Sequence, residues 1–307
     1  MAREQLGICT EANLHGSYLL LNALEGQENA LRHKLAHIPQ LFDRLANHFS
    51  EAMLTSVVAV GSNFWDLLYP DARPAGLHAF PELCADDIGL STIPVDLLIQ
   101  IRSDRLDVNV IAAQQVLQLL QGHIDVLDLI QGFRYLDGRH LTGFIDAPYN
   151  PKARAKRQVA LVSAAEQPLF AAGSYIYLQQ LQFEPAPWQR LSVAEQEAIM
   201  GCDKVSARPL PLMLPDSHTA LMRPEQAPLP SVLQQNMPYY QLKQQGLLQL
   251  GYAATTEALH QQLLRRLGLH TPGAGYDLLL NYHRIELSAA FFAPSISFLE
   301  LSASGAA

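Results

Sequence analysis

An aspartate in the segment GFIDAPYNP, residues 143–151, has a setting that acid–base chemistry can use. Asp146 follows the apolar residues Phe144 and Ile145, and Pro148 stiffens the chain just after it. Apolar neighbours limit the hydration of a carboxylate and can shift its pKa, which suits a group that accepts and releases protons. The same acid could instead belong to an Asx turn, in which its oxygens only accept backbone N–H groups. The residues alone leave both interpretations open.

The composition limits the classes of protein to which this chain can belong. Its 307 residues are 49% apolar and 16% charged, enough for one large domain or two ordinary ones. A net charge of −8 disfavours binding to nucleic acid, which requires a basic surface. Three scattered cysteines without a CxxC pair predict neither a disulfide framework nor a zinc site. No stretch approaches the ~20 apolar residues of a membrane span, and the first residues lack a signal-peptide core. We therefore expect a soluble, cytoplasmic protein without a membrane or nucleic-acid partner.

Apolar spacing predicts the elements that must position the reactive side chains. In the first half it predicts two helices, within 27–53 and 107–121, and four strands, at 17–24, 56–61, 96–104 and 123–136. Pro39 lies inside the first helix, where it predicts a kink or a break. The order β-α-β-β-α-β is that of a ferredoxin-like domain.

The second half repeats this order more loosely. Strands are predicted at 173–183 and 246–254, and helices at 192–201 and 255–269. The segment 202–245 contains seven prolines and little periodicity, and a loop of that length is usually functional. The fold class predicted is therefore α+β, with two ferredoxin-like domains, residues 1–138 and 139–307, each built on an antiparallel sheet.

Several segments, taken in order, resemble one protein family. GFIDAPYNP resembles the GFxDGxxNP signature of the dye-decolourising peroxidases, which are haem enzymes built from two ferredoxin-like domains. Further blocks that match the family occur at 173–204, 215–224, 232–240 and 291–300. The chain is most similar to the bacterial cytoplasmic branch, and the resemblance covers nearly all of it. It implies a dimeric α/β-barrel-like fold, haem b as cofactor, hydrogen peroxide and a small organic electron donor as substrates, and a homo-oligomer, dimer or higher.

The resemblance also assigns roles to individual residues. It places His218, one of eleven histidines, as the axial ligand of the iron, although any one histidine could instead be a surface or packed residue. Asp277 matches an acid that would accept the other ring N–H of this histidine, or it could be a solvated acid at a helix start. For Asp146 the resemblance implies a carboxylate on the distal side of the haem, where it would move a proton between the two oxygens of peroxide.

This chain departs from the family pattern at the distal side. Ala147 and Pro148 follow the aspartate where the family has glycine and usually a polar residue. Ala147 adds a methyl group where backbone and macrocycle come close. Gln234 replaces a family arginine, whereas Asn236 matches. Glutamine can donate a hydrogen bond but carries no charge, and the loss of one preorganised donor costs ~3 kcal/mol, about a hundredfold in rate.

A basic run, KARAKR at 152–157, follows the signature. Arg154 within it could neutralise haem propionates, although such a run is also typical of a solvated charged face.

The function predicted from these features is a haem-dependent peroxidase, weakened by the loss of the distal arginine at position 234. The first alternative is a haem-binding carrier, sensor or store without useful peroxidase turnover. The second is a structural relative that binds no haem.

Overall fold

Antiparallel strand pairing organises this protein, whose computed structural model describes residues 2–85, 88–223, 232–242 and 244–304. The strands are β1 (His15–Ala23), β2 (Thr55–Gly61), β3 (Cys84–Ala85), β4 (Ile88–Gly89), β5 (Leu97–Ser103), β6 (Ile124–Phe133), β7 (Ser174–Phe183), β8 (Leu233–Gln234), β9 (Met237–Tyr240), β10 (Gln245–Ala253) and β11 (His283–Ala293). The α-helices are α1 (Glu28–His48), α2 (Trp65–Leu68), α3 (Leu106–Leu120), α4 (Arg154–Ala160), α5 (Pro185–Gln189), α6 (Val193–Met200), α7 (His218–Met222), α8 (Thr256–Arg266) and α9 (Ile296–Ala303).

The main sheet closes into a barrel. In the order β7-β11-β2-β5-β1-β6-β9-β10, each strand pairs with the next, and β10 pairs again with β7. The first-half strands run β2-β5-β1-β6 and the second-half strands run β11-β7-β10-β9, which is the ferredoxin-like order in both halves. Every ladder between these strands is antiparallel. The predicted α+β class with ferredoxin-like antiparallel sheets is therefore confirmed.

Strands that are buried on both faces explain the long apolar runs in the sequence. On β1, Leu19 and Leu21 belong to the core under the helices, whereas Tyr18 and Leu20 belong to the core inside the barrel. Each face of a strand takes alternate side chains, so a strand between two cores needs an unbroken apolar run. The short β3–β4 hairpin is the other sheet among the described residues.

Two local predictions differ from the structure. Of the kink or break predicted at Pro39, the break is absent, because α1 continues from Glu28 to His48 with Pro39 buried inside it. The kink stays a prediction. Burial of the apolar face of this helix against the sheet outweighs the one backbone hydrogen bond that proline removes. The segment 202–245 is not simply a loop, because it contains α7, β8 and β9. Residues 224–231 and 243 of that segment lie outside the described part of the chain.

Candidate active site

A cavity of about 870 Å³ lies among β7, β10, β11, α7 and α8. Its described lining runs from His140 to His283, so every lining residue follows position 138. This volume includes the solvent at the mouth of the cavity. Of the residues predicted for the site, the structure brings six to this cavity or into contact with its lining. They are Asp146, Ala147, His218, Gln234, Asn236 and Asp277.

His218 begins the short helix α7 and is held by a buried acid. Its Nδ1 lies 2.8 Å from Oδ2 of Asp277, a residue that is 0% exposed. Arg266, the last residue of α8, donates from Nε to the same oxygen at 3.1 Å, and the backbone N–H of Leu279 donates to Oδ1. Asp277 thus heads the 3₁₀ turn Leu278–Tyr282, as a helix-start acid would, but it is buried rather than solvated.

These partners keep Asp277 ionised. Burial alone would raise the pKa of its carboxyl group, because a charge loses hydration in the interior. The charge of His218 and its hydrogen bond, together with Arg266, outweigh burial and hold the pKa well below its usual range. An ionised Asp277 accepts the proton on Nδ1 of His218, so in the neutral imidazole Nε2 is the nitrogen with a free lone pair.

The donor set near the cavity suits one particular kind of metal centre. Among residues 2–85, 88–223, 232–242 and 244–304, no group of three or more His, Cys, Asp or Glu side chains could hold an ion. A haem iron receives four of its ligands from the porphyrin and requires only an axial donor from the protein. His218, with its Nδ1 anchored by a carboxylate, has the form of such a donor.

Asp146 is placed by a tight turn rather than by a helix or strand. Gly143 adopts φ +90°, and the His140 N–H donates to the Phe144 carbonyl at 2.8 Å. Phe144 is 1% exposed and packs against Trp188, so the turn is anchored in the core. The Asp146 N–H then donates to the Gly138 carbonyl at 3.0 Å, which directs the carboxylate toward the cavity lining.

One oxygen of Asp146 receives two hydrogen bonds. Oδ1 lies 2.5 Å from Nε2 of His140 and accepts Nδ2 of Asn236 at 2.9 Å. Burial would raise the pKa of this carboxyl group. The charge of His140, the two hydrogen bonds and the charge of His218 outweigh burial, so the pKa of Asp146 lies below its ordinary value. Asp146 is therefore a partly buried carboxylate, with its side chain 20% exposed, that stays ionised at neutral pH.

Ala147 has a backbone conformation that favours glycine. Its φ is +39°, in the left-handed region where a Cβ atom is strained. The family signature has glycine at this position, and the structure supplies the physical reason. Ala147 and Pro148 both line the cavity beside Asp146.

Gln234 and Asn236 lie at the β8 end of the cavity. The Gln234 backbone exchanges hydrogen bonds with the side chain of Asn150, and its Nε2 donates to Gln262 at 2.8 Å. The carbonyl oxygens Oε1 of Gln234 and Oδ1 of Asn236 are buried and have no hydrogen-bond partner among the described residues. Two orphaned acceptors at one cavity fit a ligand that donates O–H groups there.

The structure leaves Arg154 away from this group. It is the first residue of α4, it is exposed, and it lines neither the cavity nor the adjoining one of about 1190 Å³. Lys156 from the same basic run lines the adjoining cavity and pairs with Glu11 at 2.6 Å. The Arg223 guanidinium lies 4.9 Å from the centre of the Tyr149 ring at the cavity edge.

Sequence reasoning missed His140 and Arg266, which hold the two acids. His140 is six residues before Asp146, but only the turn at Gly143 brings the two side chains together. Arg266 belongs to the last turn of α8, where a basic residue is also expected for its effect on the helix dipole. Neither the residue types nor their spacing in the sequence shows that His140 and Arg266 bind the two acids.

Comparisons with known proteins support one family. A family model described as Dyp-type peroxidase, N-terminal, matches residues 5–134, and one described as Dyp-type peroxidase, C-terminal, matches residues 137–298. A protein named dye-decolorizing peroxidase from Rhodococcus erythropolis (strain PR4 / NBRC 100887) is 32% identical over 289 residues, which cover 92% of this chain and 84% of that protein.

Solved structures are similar over their whole length. The encapsulated DyP-type peroxidase from Mycobacterium smegmatis superposes with a TM-score of 0.92 and 27% identity, covering 98% of both chains. A variant of DypB from Rhodococcus jostii RHA1, solved in complex with heme, gives a TM-score of 0.90 and 28% identity, covering 97% of this chain and 99% of the other.

Proposed function

This chain belongs to the DyP-type peroxidases, and on that premise we propose that it uses haem b to reduce hydrogen peroxide while it oxidises a small organic electron donor. One observation carries the proposal. A single cavity holds both an imidazole anchored through Nδ1 to a buried carboxylate and a second, ionised carboxylate. Haem peroxidase chemistry needs an axial donor and a proton carrier at one site.

The residues at the cavity have distinct roles in this proposal. Nε2 of His218 would bind the haem iron, while Asp277 and Arg266 fix the orientation of the imidazole. When bound, haem supplies the iron centre at which the O–O bond of peroxide is cleaved. Asp146 accepts a proton from one oxygen of hydrogen peroxide and returns it to the other. Asn236 holds the carboxylate, and the free carbonyl oxygens of Asn236 and Gln234 can accept peroxide O–H groups.

The macrocycle would lie against Ala147 and Pro148, which line the cavity beside the acid. Its propionates require cations, for which the sequence suggests Arg154. The position of Arg154 at the exposed start of α4 gives this role no support, whereas Lys156 at the adjoining cavity is a better placed cation.

Replacement of the axial donor tests the proposal. We expect His218→Ala to lose stoichiometric haem binding, or to bind haem with a shifted Soret band, while the fold is retained because α7 contributes little to the core. His123→Ala is the matched control, since the His123 side chain lies in the first half of the chain, where its Nδ1 contacts Gln27. Haem binding with an unchanged spectrum in His218→Ala would remove this residue from the site.

Gln234 favours a second candidate function, a haem-binding carrier, sensor or store without useful turnover. Its amide donor is already used by Gln262, and it brings no positive charge to the distal side. Peroxide-dependent oxidation of a dye by the haem-loaded wild type separates the two functions. Turnover far above that of free haem supports the peroxidase.

We also propose the organisation and setting of the protein. The two ferredoxin-like halves, residues 1–138 and 139–307, are its domains, and the haem belongs to the second.

In the described residues, no helix is both long enough and apolar enough to cross a membrane. Assignment to the cytoplasm rests on the resemblance to the cytoplasmic branch. The proposal of a homo-oligomer, dimer or higher, likewise rests on the family resemblance, and light scattering coupled to size exclusion tests its size.

A further inference from the structure

His140 touches the distal acid and is itself buried. Its side chain is 6% exposed, and Nε2 lies 2.5 Å from Oδ1 of Asp146. The His140 carbonyl accepts the Gly143 N–H at 3.0 Å, and the His140 N–H donates to Phe144, so the backbone of the turn fixes the ring. This geometry is built into the same loop that carries Asp146.

The two oxygens of the Asp146 carboxylate differ in their hydrogen bonds. Oδ1 accepts both Nε2 of His140 and Nδ2 of Asn236. No described residue donates to Oδ2, which leaves that oxygen for a ligand in the cavity. Since an ionised carboxylate only accepts, Nε2 of His140 must carry the proton between them.

We propose that His140 is the positioning residue of the distal acid: its Nε2–H fixes Asp146 so that Oδ2 exchanges the peroxide proton, and its imidazolium form supplies the positive charge that Gln234 lacks. His140 keeps its Nε2 proton throughout, so the proton taken from one peroxide oxygen returns to the other through Oδ2 alone. This inference rests on the proposed role of Asp146.

The surroundings of His140 contain few competing charges. The other described titratable side chains that line the same cavity are Asp146, Tyr149, Cys202, His218, Arg266 and His283. Nζ of Lys204 lies 5.4 Å from the ring centre of Phe144, and Nη1 of Arg139 donates to the Gly143 carbonyl at 2.9 Å. Among these, Asp146 is the acid in direct contact with the His140 ring. A positive charge on His140 is therefore aimed at the site where negative charge develops.

Two substitutions separate the hydrogen bond from the charge. His140→Gln can still donate to Oδ1 but cannot be charged, whereas His140→Leu removes both. In the haem-loaded protein, we expect the reaction with peroxide to slow about tenfold in His140→Gln and about a hundredfold in His140→Leu. Because Asp146 becomes easier to protonate, the acid limb of the pH–rate profile should move up by about one pH unit in His140→Gln. The control His123→Gln should react like the wild type.

A second measurement does not depend on turnover. In the haem-free full chain, we expect nitrogen NMR of labelled histidine to place a proton on Nε2 of wild-type His140 at neutral pH. Carboxyl carbon NMR, assigned with Asp146→Asn, should show the pKa of Asp146 rising in His140→Gln and not in His123→Gln. A bare Nε2 in the wild type would overturn the inference even if the variants fail to fold.

The outcomes distinguish this inference from the function on which it rests. If Asp146→Asn reacts with peroxide as fast as the wild type, the proposed role of Asp146 fails. If Asp146→Asn is slow but His140→Gln keeps the wild-type rate and pH profile, only the inference about His140 fails. A slow His140→Gln with an unmoved acid limb would show a merely structural effect and would also overturn it.

Discussion

At the scale of single residues, the absence of an arginine charge at position 234 changes the roles that we propose for the neighbouring side chains. Gln234 lies where the family has arginine, and its Nε2 donates to Gln262 rather than toward Asp146. His140 is a cation-forming side chain that contacts Asp146, the acid proposed for the distal side. The chain therefore places an imidazole beside the carboxylate and has no guanidinium at position 234.

Restoring the arginine should accelerate the reaction with peroxide. We expect Gln234→Arg to react about tenfold to a hundredfold faster than the wild type in stopped-flow absorbance, because a fixed charge stabilises the leaving oxygen in a low-dielectric site. Gln234→Met is the uncharged control of similar length and should give no gain. The rate increase from Gln234→Arg should be larger when His140→Gln is also present, because both cations stabilise the same negative charge. Equal rates for Gln234→Arg and the wild type in both backgrounds would contradict this account.

A second residue-scale prediction concerns backbone strain at Ala147. Its φ of +39° costs an alanine about 1 kcal/mol relative to glycine. We therefore expect Ala147→Gly to raise the free energy of unfolding by up to ~1 kcal/mol, measured by chemical denaturation. Ala46→Gly, inside α1, should lower it by about 1 kcal/mol and so exclude a general effect of glycine. If Ala147→Gly instead lowers the free energy of unfolding, the backbone at Ala147 is not strained.

The sequence revealed the axial histidine and the two acids of the proposed site better than their partners. Asp146 and His218 lie in family blocks, Asp277 matches a family acid, and the structure brings all three together. The roles of His140 and Arg266 depend on a turn at positive φ and on the packing of a helix end, and neither leaves a pattern in residue types. Exposure of Arg154 likewise depends on where α4 begins, which the basic run does not determine.

At the scale of elements, close strand packing limits which residues the barrel tolerates. Gly246 lies in β10 between β7 and β9, where the barrel closes. A Cβ atom there would lie 1.8 Å from the carbonyl oxygen of Leu181, a backbone atom that no rotamer change can move. Glycine is therefore required by this pairing.

We expect Gly246→Ala to lower the free energy of unfolding by about 3 kcal/mol, because the two strands must separate to admit the methyl group. Gly89→Ala in the β3–β4 hairpin is the matched control, since a Cβ atom there meets nothing within 4 Å. Thermal or urea denaturation of both variants measures the difference. Equal stability of the two variants would show that β10 and β7 are less closely packed.

Elements with strong periodicity were predictable, and those fixed by tertiary contacts were not. The predicted strand at 96–104 is β5, and the predicted helix at 107–121 is α3. The short strands β8 and β9 escaped prediction because two to four residues carry no period. They form through pairing with β10 and, for β9, also with β6. A break at Pro39 was wrongly allowed for a similar reason, since packing of α1 decides the continuity of the helix.

At the scale of the whole molecule, barrel closure joins the two halves through two short ladders. Phe291 and Phe292 of β11 pair with Gly61 and Val60 of β2, and Gly132 of β6 pairs with Tyr239 of β9. Both halves contribute strands to one closed sheet, so an edge strand from either half is covered by the other. A sequence that predicts two ferredoxin-like units does not by itself predict this closure.

The buried titratable groups make the stability of the whole protein depend on pH in two separate windows. Burial lowers the pKa of His283 from its ordinary value near 6.5 to about 4, so the unfolded chain binds a proton there that the folded chain does not. Stability from this residue is complete above about pH 6.5 and is lost as the pH falls toward 4. Asp146 and Asp277 have lowered pKa values, so their contribution is lost only as the pH falls below that of an unfolded aspartate, about 4.

We therefore expect His283→Gln to abolish the loss of stability between about pH 6.5 and 4 and to keep the loss below about pH 4. Glutamine can still donate to the Leu279 carbonyl, which His283 Nδ1 contacts at 3.1 Å, but it cannot be protonated. Between pH 7.5 and 5, we expect the free energy of unfolding of the haem-free wild type to fall by roughly 2 kcal/mol more than that of His283→Gln. Below pH 4 both proteins should lose stability together, because the two aspartates are unchanged. Urea titrations at these pH values measure both windows, and parallel losses above pH 5 would mean that His283 is free to take up its proton in the folded state.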